Sequence, residues 1–281
     1  MANFYEKRLP DGTKICVANL DTISLRDLES GDAEEIHKLS SVMTSQGIFY
    51  IDFHGSQMGT ILSEKLGEIY YVTQEYFDQS HDMKVKDFRA DQKHSQDRGY
   101  KFCSTDETFE MAYDELVKGD LALPPILHQS KYSLKYFSEI CHNTALSILR
   151  ALSNTISTGE PLTRYHMKSG TSDSGLKLVY EPFITDKSQV CDNTHTDSGI
   201  LTLLFYDEWG LEVQLQDGKW AYVAPVSGCA VVNVADYLEG ISDNRFRSVL
   251  HRVTQPVDGF AKRYFLSYFL RPVGKILSES S

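Results

Sequence analysis

The sequence predicts a mixed α+β fold in which a helical N-terminal half packs on a β-sandwich or jelly roll. Apolar residues recur at helical spacing through the first half of the chain. Beyond about Gly159 they form short, evenly spaced runs separated by turn residues, as in sandwiches and jelly rolls. The 281 residues contain no internal repeat and no linker. We therefore expect one domain over 1–281, mostly helical at 1–158 and jelly-roll at 159–281.

Three helices and one strand are predicted in the first half. The first helix begins at a capping box formed by Asp32 and Glu35 and ends at Gly47. A buried strand follows at 48–53. The apolar positions of the three helices are Ile36, Leu39, Val42 and Met43; Ile61, Leu62, Leu66, Ile69 and Tyr70; and Tyr136, Phe137, Ile140, Cys141, Ala145, Ile148, Leu149 and Leu152.

The second half contains seven candidate strands. Asp217 and Gly218 lie between two of them and are typical of a tight hairpin turn. The candidate strands cover 176–180, 200–205, 211–215, 220–223, 230–233, 248–254 and 264–270.

The composition narrows the class of partner. A net charge of −11 and a pI near 5.3 give an acidic surface, which disfavours nucleic acid and anionic membranes as partners. Five cysteines occur without a CxxC pair, as expected for reduced thiols in the cytoplasm. No secretory h-region and no apolar run of about 20 residues is visible. We expect a cytoplasmic protein with a small-molecule partner, and the oligomeric state stays open.

One constellation has the composition of a metal site. His195 and Asp197 are two positions apart, so at a strand end both side chains point to the same side. His251 lies in another strand-like run and is the candidate third ligand. Two imidazoles and one carboxylate on one face suit iron(II) with open positions. The pattern alone is weak, because nine histidines and 39 acidic residues give roughly one such pair by chance. A surface pair on a turn is the alternative.

Several blocks of the second half resemble a known family in their order and spacing. The run HTDSGILTLLF at 195–205 resembles the metal-site strand of the isopenicillin N synthase-like, 2-oxoglutarate-dependent dioxygenases. Two N-terminal segments, 47–55 and 98–100, resemble the family more loosely. The other matching blocks are at 210–214, 217–220, 231–236, 247–253 and 263–269.

This resemblance implies a double-stranded β-helix with His195, Asp197 and His251 as the iron ligands. It also implies 2-oxoglutarate as co-substrate, and O₂. The expected activity is oxidation of a C–H bond of a small molecule by hydroxylation, desaturation or oxidative cyclisation, in specialised metabolism. Two rival functions stay open: an iron(II) oxidase of the same fold that works without 2-oxoglutarate, and a non-catalytic jelly-roll binding protein.

The co-substrate site departs from the family pattern. The family holds the distal carboxylate of 2-oxoglutarate with an Arg-x-Ser motif, and Arg263 stands at the Arg position, where a structural ion pair is the alternative role. Phe265 stands at the Ser position. Tyr180 and Ser267 are therefore the candidate second hydroxyl donors. A strand tyrosine whose hydroxyl meets backbone or water is the alternative for Tyr180.

Four residues are candidates for the substrate pocket. Arg98 would hold an acidic substrate, although a solvated loop arginine is commoner. Phe183, Phe205 and Phe269 are candidate pocket walls, although an aromatic residue in a β core is usually just core. The chain ends nine residues after Pro272, whereas many relatives carry a longer C-terminal helix over the pocket. This indicates a more open site or a different lid.

Overall fold

The computed structural model describes residues 4–90, 98–153, 161–166, 172–184, 193–256 and 261–273. The predicted boundary near Gly159 and the C-terminal tail lie outside these ranges. The strands are β1 (Phe4–Arg8), β2 (Lys14–Ala18), β3 (Thr22–Ser24), β4 (Ile48–Asp52), β5 (Gly99–Phe102), β6 (Glu107–Ala112), β7 (Gly175–Pro182), β8 (Leu201–Phe205), β9 (Leu211–Gln214), β10 (Trp220–Tyr222), β11 (Cys229–Val234), β12 (His251–Val253) and β13 (Lys262–Leu270). The α-helices are α1 (Leu25–Ser30), α2 (Ala33–Ser45), α3 (Gln57–Phe77), α4 (His81–Lys84), α5 (Tyr113–Lys118), α6 (Pro125–Gln129), α7 (Lys131–Ser153) and α8 (Asp236–Ile241).

The strands form two sheets. The main sheet has eight strands in the order β3-β4-β11-β8-β13-β7-β6-β5. The minor sheet has five strands in the order β1-β2-β10-β9-β12. Over the residues that are described, neither order closes on itself. This is a mixed helix-and-sheet architecture, and the seven strands predicted for the second half are all present, within a few residues.

The register of β13 defines the two faces of the main sheet. β13 is antiparallel to both β7 and β8, with Phe265 opposite Val179 and Tyr264 opposite Tyr180. Side chains alternate between faces along a strand. Phe265 packs in a cluster that contains Leu211 of the minor sheet, so its face is called the inner face. The opposite face, called the helix face, carries Tyr264, Leu266, Tyr268 and Leu270.

The larger core lies between the helix face and the long helices. α7 buries one stripe of side chains that includes Phe137, Ile148 and Leu152, as its periodicity predicts. α3 packs against α7 and contributes Leu62 and Ile69 to the same core. These two helices therefore cover the helix face of the main sheet, and the inner face is the one that carries the candidate site.

The predicted N-terminal helices are confirmed, but the region before Gly159 is less purely helical than predicted. The side chain of Asp32 caps α2 by accepting from the backbone N–H of Glu35. The missed strands β1, β2, β3, β5 and β6 also belong to this region. Because β3–β6 join the same main sheet as β7, β8 and β13, the strands interleave across the predicted boundary. The single-domain organisation stays a prediction that this interleaving supports.

Among the described residues, no helix is long and apolar enough to cross a membrane.

Candidate metal centre and co-substrate subsite

The chain brings His195, Asp197 and His251 together at one end of the two sheets. His195 forms an isolated antiparallel bridge with His251, the first residue of β12, through two backbone hydrogen bonds of 3.0 Å. Asp197 follows two residues later, just before β8 begins. The bridge fixes both histidine backbones relative to each other, so the three side chains converge across two sheets.

The ligand atoms form a compact set. Asp197 Oδ1 lies 3.7 Å from His195 Nε2 and 3.9 Å from His251 Nε2. One ligand atom from each of the three residues lies within 4.8 Å of the others. These spacings leave room for one ion among two nitrogens and one oxygen. Among the described residues, this is the one cluster of His, Cys, Asp and Glu with such geometry.

Two polar side chains hold Asp197 in position. Thr202 Oγ1 donates to Asp197 Oδ2 at 2.6 Å, and Asn233 Nδ2 donates to the same oxygen at 2.9 Å. The second oxygen, Oδ1, is thereby left facing the histidines. Neither residue was predicted from the sequence. Asn233 had a visible signal, because it is a lone amide within the apolar run of β11.

Backbone carbonyls orient both imidazoles. His195 Nδ1 donates to the carbonyl of Asn193 at 2.5 Å, and His251 Nδ1 donates to that of Val249 at 3.1 Å. A carbonyl oxygen only accepts, so Nδ1 carries a proton in each ring, and Nε2 is the atom that faces Asp197. Such outer hydrogen bonds are typical of histidine metal ligands.

The electrostatics favour the ligand protonation states. Burial would raise the pKa of Asp197, but His251, Thr202 and Asn233 outweigh it, and the pKa lies below its ordinary value. Burial lowers the pKa of His251, which keeps that imidazole neutral. A carboxylate with two imidazoles on one face suits iron(II) and leaves coordination positions for other ligands. The donor set therefore fits the predicted metal.

Arg263 lies further along the inner face, fully buried at the start of β13. Its Nε donates to the carbonyl of Trp209 at 2.9 Å, and its Nη2 donates to that of Pro256 at 3.0 Å. The guanidinium carbon is 6.0 Å from the ring centroid of Phe183. A cation held in this way on the inner face suits a bound carboxylate. The roles of Arg263 and Phe183 stay predictions.

The ring of Phe265 occupies space beside Arg263 that a serine would leave open. Phe265 is buried and packs on Tyr206, with ring centroids 5.8 Å apart. A Cβ at Gly210 would lie 2.9 Å from Phe265 Cζ, so the glycine makes room for the ring. Ser267 is on the same face, two residues further along, and stays a candidate donor.

The prediction that Tyr180 reaches the co-substrate is wrong. Tyr180 lies opposite Tyr264, and the two rings stack on the helix face with centroids 5.4 Å apart. Its ring also stacks on Phe77 of α3 at 5.8 Å. The sheet thus separates the phenol from Arg263. The inner-face residue opposite Arg263 is instead Glu181, which the sequence analysis did not select.

Two of the four residues predicted to line the substrate pocket, Phe205 and Arg98, do not lie where a pocket residue should. Phe205 faces the helices, where its ring lies 5.2 Å from that of Phe137, because β8 turns alternate residues away from the inner face. Arg98 is neither solvated nor open to a substrate. Its Nη1 donates to Glu110 at 2.6 Å, and its Nη2 donates to the carbonyl of Asp173 at 2.6 Å.

Phe269, the remaining pocket candidate on β13, lies on the inner face of the main sheet, as a pocket wall would. It lies opposite Thr202, which donates to Asp197, so its half-buried ring is on the inner face near the candidate metal ligands. The side chains of Lys177 and Arg271 lie over this ring at 5.3 and 4.5 Å. Lys177, which the sequence analysis passed over, is on the same inner face, opposite Ser267. The role of Phe269 in a pocket stays a prediction.

Comparison with known proteins assigns the family. The profile of the 2OG-Fe(II) oxygenase superfamily matches residues 172–272. The 2-oxoglutarate-dependent dioxygenase frbH of Dothideomycetidae sp. is 33% identical, and the alignment covers 90% of this chain and 82% of frbH. The 2-oxoglutarate-dependent dioxygenase gloE of Glarea lozoyensis is 34% identical, covering 90% and 79%. Oxidoreductase vrtI of Penicillium aethiopicum is 33% identical, and this chain spans 64% of its length.

Solved structures agree on the fold. A Neurospora crassa protein, crystallised in complex with alpha-KG and 5-formyluracil, superposes with a TM-score of 0.74 at 22% identity, over 92% of this chain and 85% of that protein. The rice dioxygenase for auxin oxidation gives a TM-score of 0.69 at 24% identity, over 90% and 83%. The chain belongs to the 2OG-Fe(II) oxygenase superfamily and is a 2-oxoglutarate-dependent iron(II) dioxygenase with the family's jelly-roll fold.

Proposed function

We propose that His195, Asp197 and His251 are the complete set of protein ligands to iron(II). The observation that carries this proposal is the orientation of Asp197. Thr202 and Asn233 occupy one carboxylate oxygen, and the other faces two Nε2 atoms whose rings are fixed through Nδ1. Such an arrangement is expected where a metal ion must be held on one face only.

We further propose that the reaction oxidises a C–H bond of a small molecule in specialised metabolism. In this family, iron with 2-oxoglutarate and O₂ supplies the oxidising power, and 2-oxoglutarate leaves as succinate. Arg263 would hold the distal carboxylate of 2-oxoglutarate, and Phe269 would form part of the substrate wall. The Neurospora crassa protein has been crystallised with thymine, and the rice relative is named for auxin oxidation, which supports a small-molecule substrate. The cytoplasmic location stays a prediction.

The contribution of the protein to this chemistry is orientation and exclusion of water. The inner face beside Arg263 is lined by Phe265 and Tyr206, so that end of the site is apolar apart from its charged groups. A charged contact is stronger in such surroundings than in water. His195 has half of its side chain exposed, whereas His251 is buried. The ion would therefore face solvent on the His195 side.

Turnover of 2-oxoglutarate tests the function directly. Iron-loaded protein is incubated with O₂ and 2-oxoglutarate, and succinate and CO₂ are measured with and without a panel of candidate small molecules. We expect succinate formation that requires both iron and 2-oxoglutarate and that rises with a true substrate. Oxygen uptake with a substrate, independent of 2-oxoglutarate and without succinate, would identify the oxidase alternative. Failure to bind iron would identify the non-catalytic alternative.

A further inference from the structure

A buried carboxyl group lies directly across from Arg263. Glu181 of β7 is opposite Arg263 of β13 in the antiparallel register, so both side chains project from the inner face. The Cβ atoms of such opposed residues are about 4.5–5.5 Å apart. Glu181 is only 7% exposed, and Arg263 is 0% exposed. A group bound by Arg263 at the inner face would therefore lie against Glu181 as well.

The carboxyl of Glu181 has no hydrogen-bond or ion-pair partner within the described part of the chain. Two charged groups act on it electrostatically: Arg263 on β13, and Asp106 just before β6, the strand on the other side of β7. An ionised, buried carboxylate without hydrogen bonds is costly. Burial accordingly raises the pKa of Glu181 to about 8, with Asp106 raising it further and Arg263 opposing. At neutral pH the group is an uncharged acid with one O–H to donate.

The subsite lacks the donor that the family's serine would provide. Phe265 fills that position with an apolar ring packed on Tyr206 and fitted against Gly210. The Tyr180 phenol is on the other face. Ser267, the other candidate donor, lies four positions further along β13, so a carboxylate at Arg263 would keep lone pairs without a partner beside the guanidinium. This costs free energy unless a nearby donor satisfies them.

We propose that Glu181, as the neutral acid, donates a hydrogen bond to the distal carboxylate of 2-oxoglutarate beside Arg263. This inference rests on the proposed role of Arg263. The neutral form is the one that binds, because an ionised Glu181 would repel the co-substrate carboxylate. Binding of 2-oxoglutarate is therefore coupled to one proton on Glu181, and affinity falls as the pH rises above about 8.

The test is a binding measurement that does not depend on turnover. Calorimetric titration of 2-oxoglutarate into anaerobic, iron(II)-loaded protein is carried out at pH 6.5 and pH 9 for the wild type, Glu181→Gln and Glu181→Leu. The glutamine amide keeps a donor of similar size but does not titrate, whereas leucine removes the donor. Tyr180→Phe is the matched control, because it changes the adjacent residue on the opposite face. Thermal unfolding of each variant checks the fold.

We expect Glu181→Gln to bind within about threefold of the wild type at pH 6.5 and to lose the alkaline weakening. Glu181→Leu should bind roughly 10- to 100-fold more weakly, the loss of one hydrogen bond to a charged acceptor. Tyr180→Phe should match the wild type at both pH values.

The proposal is overturned if Glu181→Leu binds like the wild type, or if Glu181→Gln keeps the same pH dependence. It is also overturned if Glu181→Gln binds more tightly at pH 6.5, since Glu181 would then act as a competing anion. If Glu181→Leu does not fold, the pH dependence of 2-oxoglutarate binding by Glu181→Gln still tests the proposal. A wild type that binds iron but no 2-oxoglutarate at either pH would instead overturn the proposed function.

Discussion

The two ends of the inner face follow the family pattern to different degrees. At the metal end, the three proposed ligands occur at the family's positions, and Thr202 and Asn233 hold the carboxylate of Asp197. At the co-substrate end, Arg263 occurs at its family position, but Phe265 replaces the serine and Glu181 lies opposite. A metal shell has strict demands on donor type and distance, whereas a carboxylate accepts hydrogen bonds from many arrangements. The co-substrate end is therefore freer to change.

The largest effect should come from the metal end. Asp197→Ala removes the single carboxylate among the proposed ligands and leaves two imidazoles, so we expect stoichiometric iron binding and all succinate formation to be lost. Iron content after anaerobic loading and dialysis is the measurement, with Asp120→Ala as a control at an exposed position. An Asp197→Ala protein that retains iron and near wild-type turnover would show that the ligand assignment is wrong.

Arg263→Ala should have the next largest effect, this time at the co-substrate end. Removing one partner of a buried charge pair costs about 3–5 kcal/mol, which is roughly a 100- to 4000-fold loss of 2-oxoglutarate affinity. Iron content should stay near the wild-type value, because Arg263 is not a ligand. Titration of 2-oxoglutarate, with iron content measured in parallel, distinguishes an effect on co-substrate binding from an effect on iron binding. Equal loss of iron and of 2-oxoglutarate would mean that the ends are not independent.

The pH dependence of stability should distinguish Glu181 from the other acidic residues. Its pKa is raised from 4.5 to about 8 in the folded protein, so its favourable contribution is fully present below about pH 4.5 and is lost as the pH rises through 8. Relative to Glu181→Gln, the free energy of unfolding of the wild type should fall by on the order of 2–4 kcal/mol between pH 5 and pH 9. Denaturant titrations of the metal-free proteins measure this difference. If the difference in free energy of unfolding between the wild type and Glu181→Gln does not change with pH, Glu181 is not a neutral acid in the folded protein.

The smallest effect should come from the outer hydrogen bonds of the metal end. Thr202→Val keeps the shape of the side chain but removes the hydroxyl that donates to Asp197 at 2.6 Å. Asn233 still holds the same oxygen, so we expect about a tenfold loss of iron affinity without loss of the site. Competition with a chelator under anaerobic conditions measures it. An unchanged affinity would show that Asn233 alone orients the carboxylate.

The sequence predicted which residues cluster at the metal end better than it predicted which face of the sheet each strand residue occupies. His195, Asp197 and His251 were identifiable because their spacing and the matching blocks act together. Tyr180 and Phe205 were assigned wrongly because both faces of β7 and β8 are covered, one by helices and one by the minor sheet. In a strand that is buried on both sides, apolar residues occur at every position, so the alternation no longer identifies the inner face.

Polar residues within strands were the other source of error. β5 and β6 contain Lys101, Glu107, Thr108 and Glu110, which weaken the apolar pattern that marks a strand. Glu110 is nevertheless buried, because Arg98, Lys177 and Arg271 surround its carboxylate at 2.6, 3.4 and 2.7 Å. Charges that are compensated in three dimensions cannot be distinguished from solvated charges in the sequence. The three longest helices of the same half, α2, α3 and α7, were predicted correctly because each buries one stripe of apolar side chains, whereas the short helices α1, α4, α5 and α6 were not predicted.

The N-terminal hairpin of β1 and β2 determines which strand ends the minor sheet. β2 covers β10 through a parallel pairing, and β1, with four of its five residues exposed, forms the outermost strand. Glu6, Lys7 and Arg8 place charges of both signs along that strand, which discourages another chain from adding to it. A shortened protein lacking the hairpin would present β10 as a bare edge. Its tendency to aggregate would then depend on β10, which lies two strands away from β12 and His251 in the same sheet.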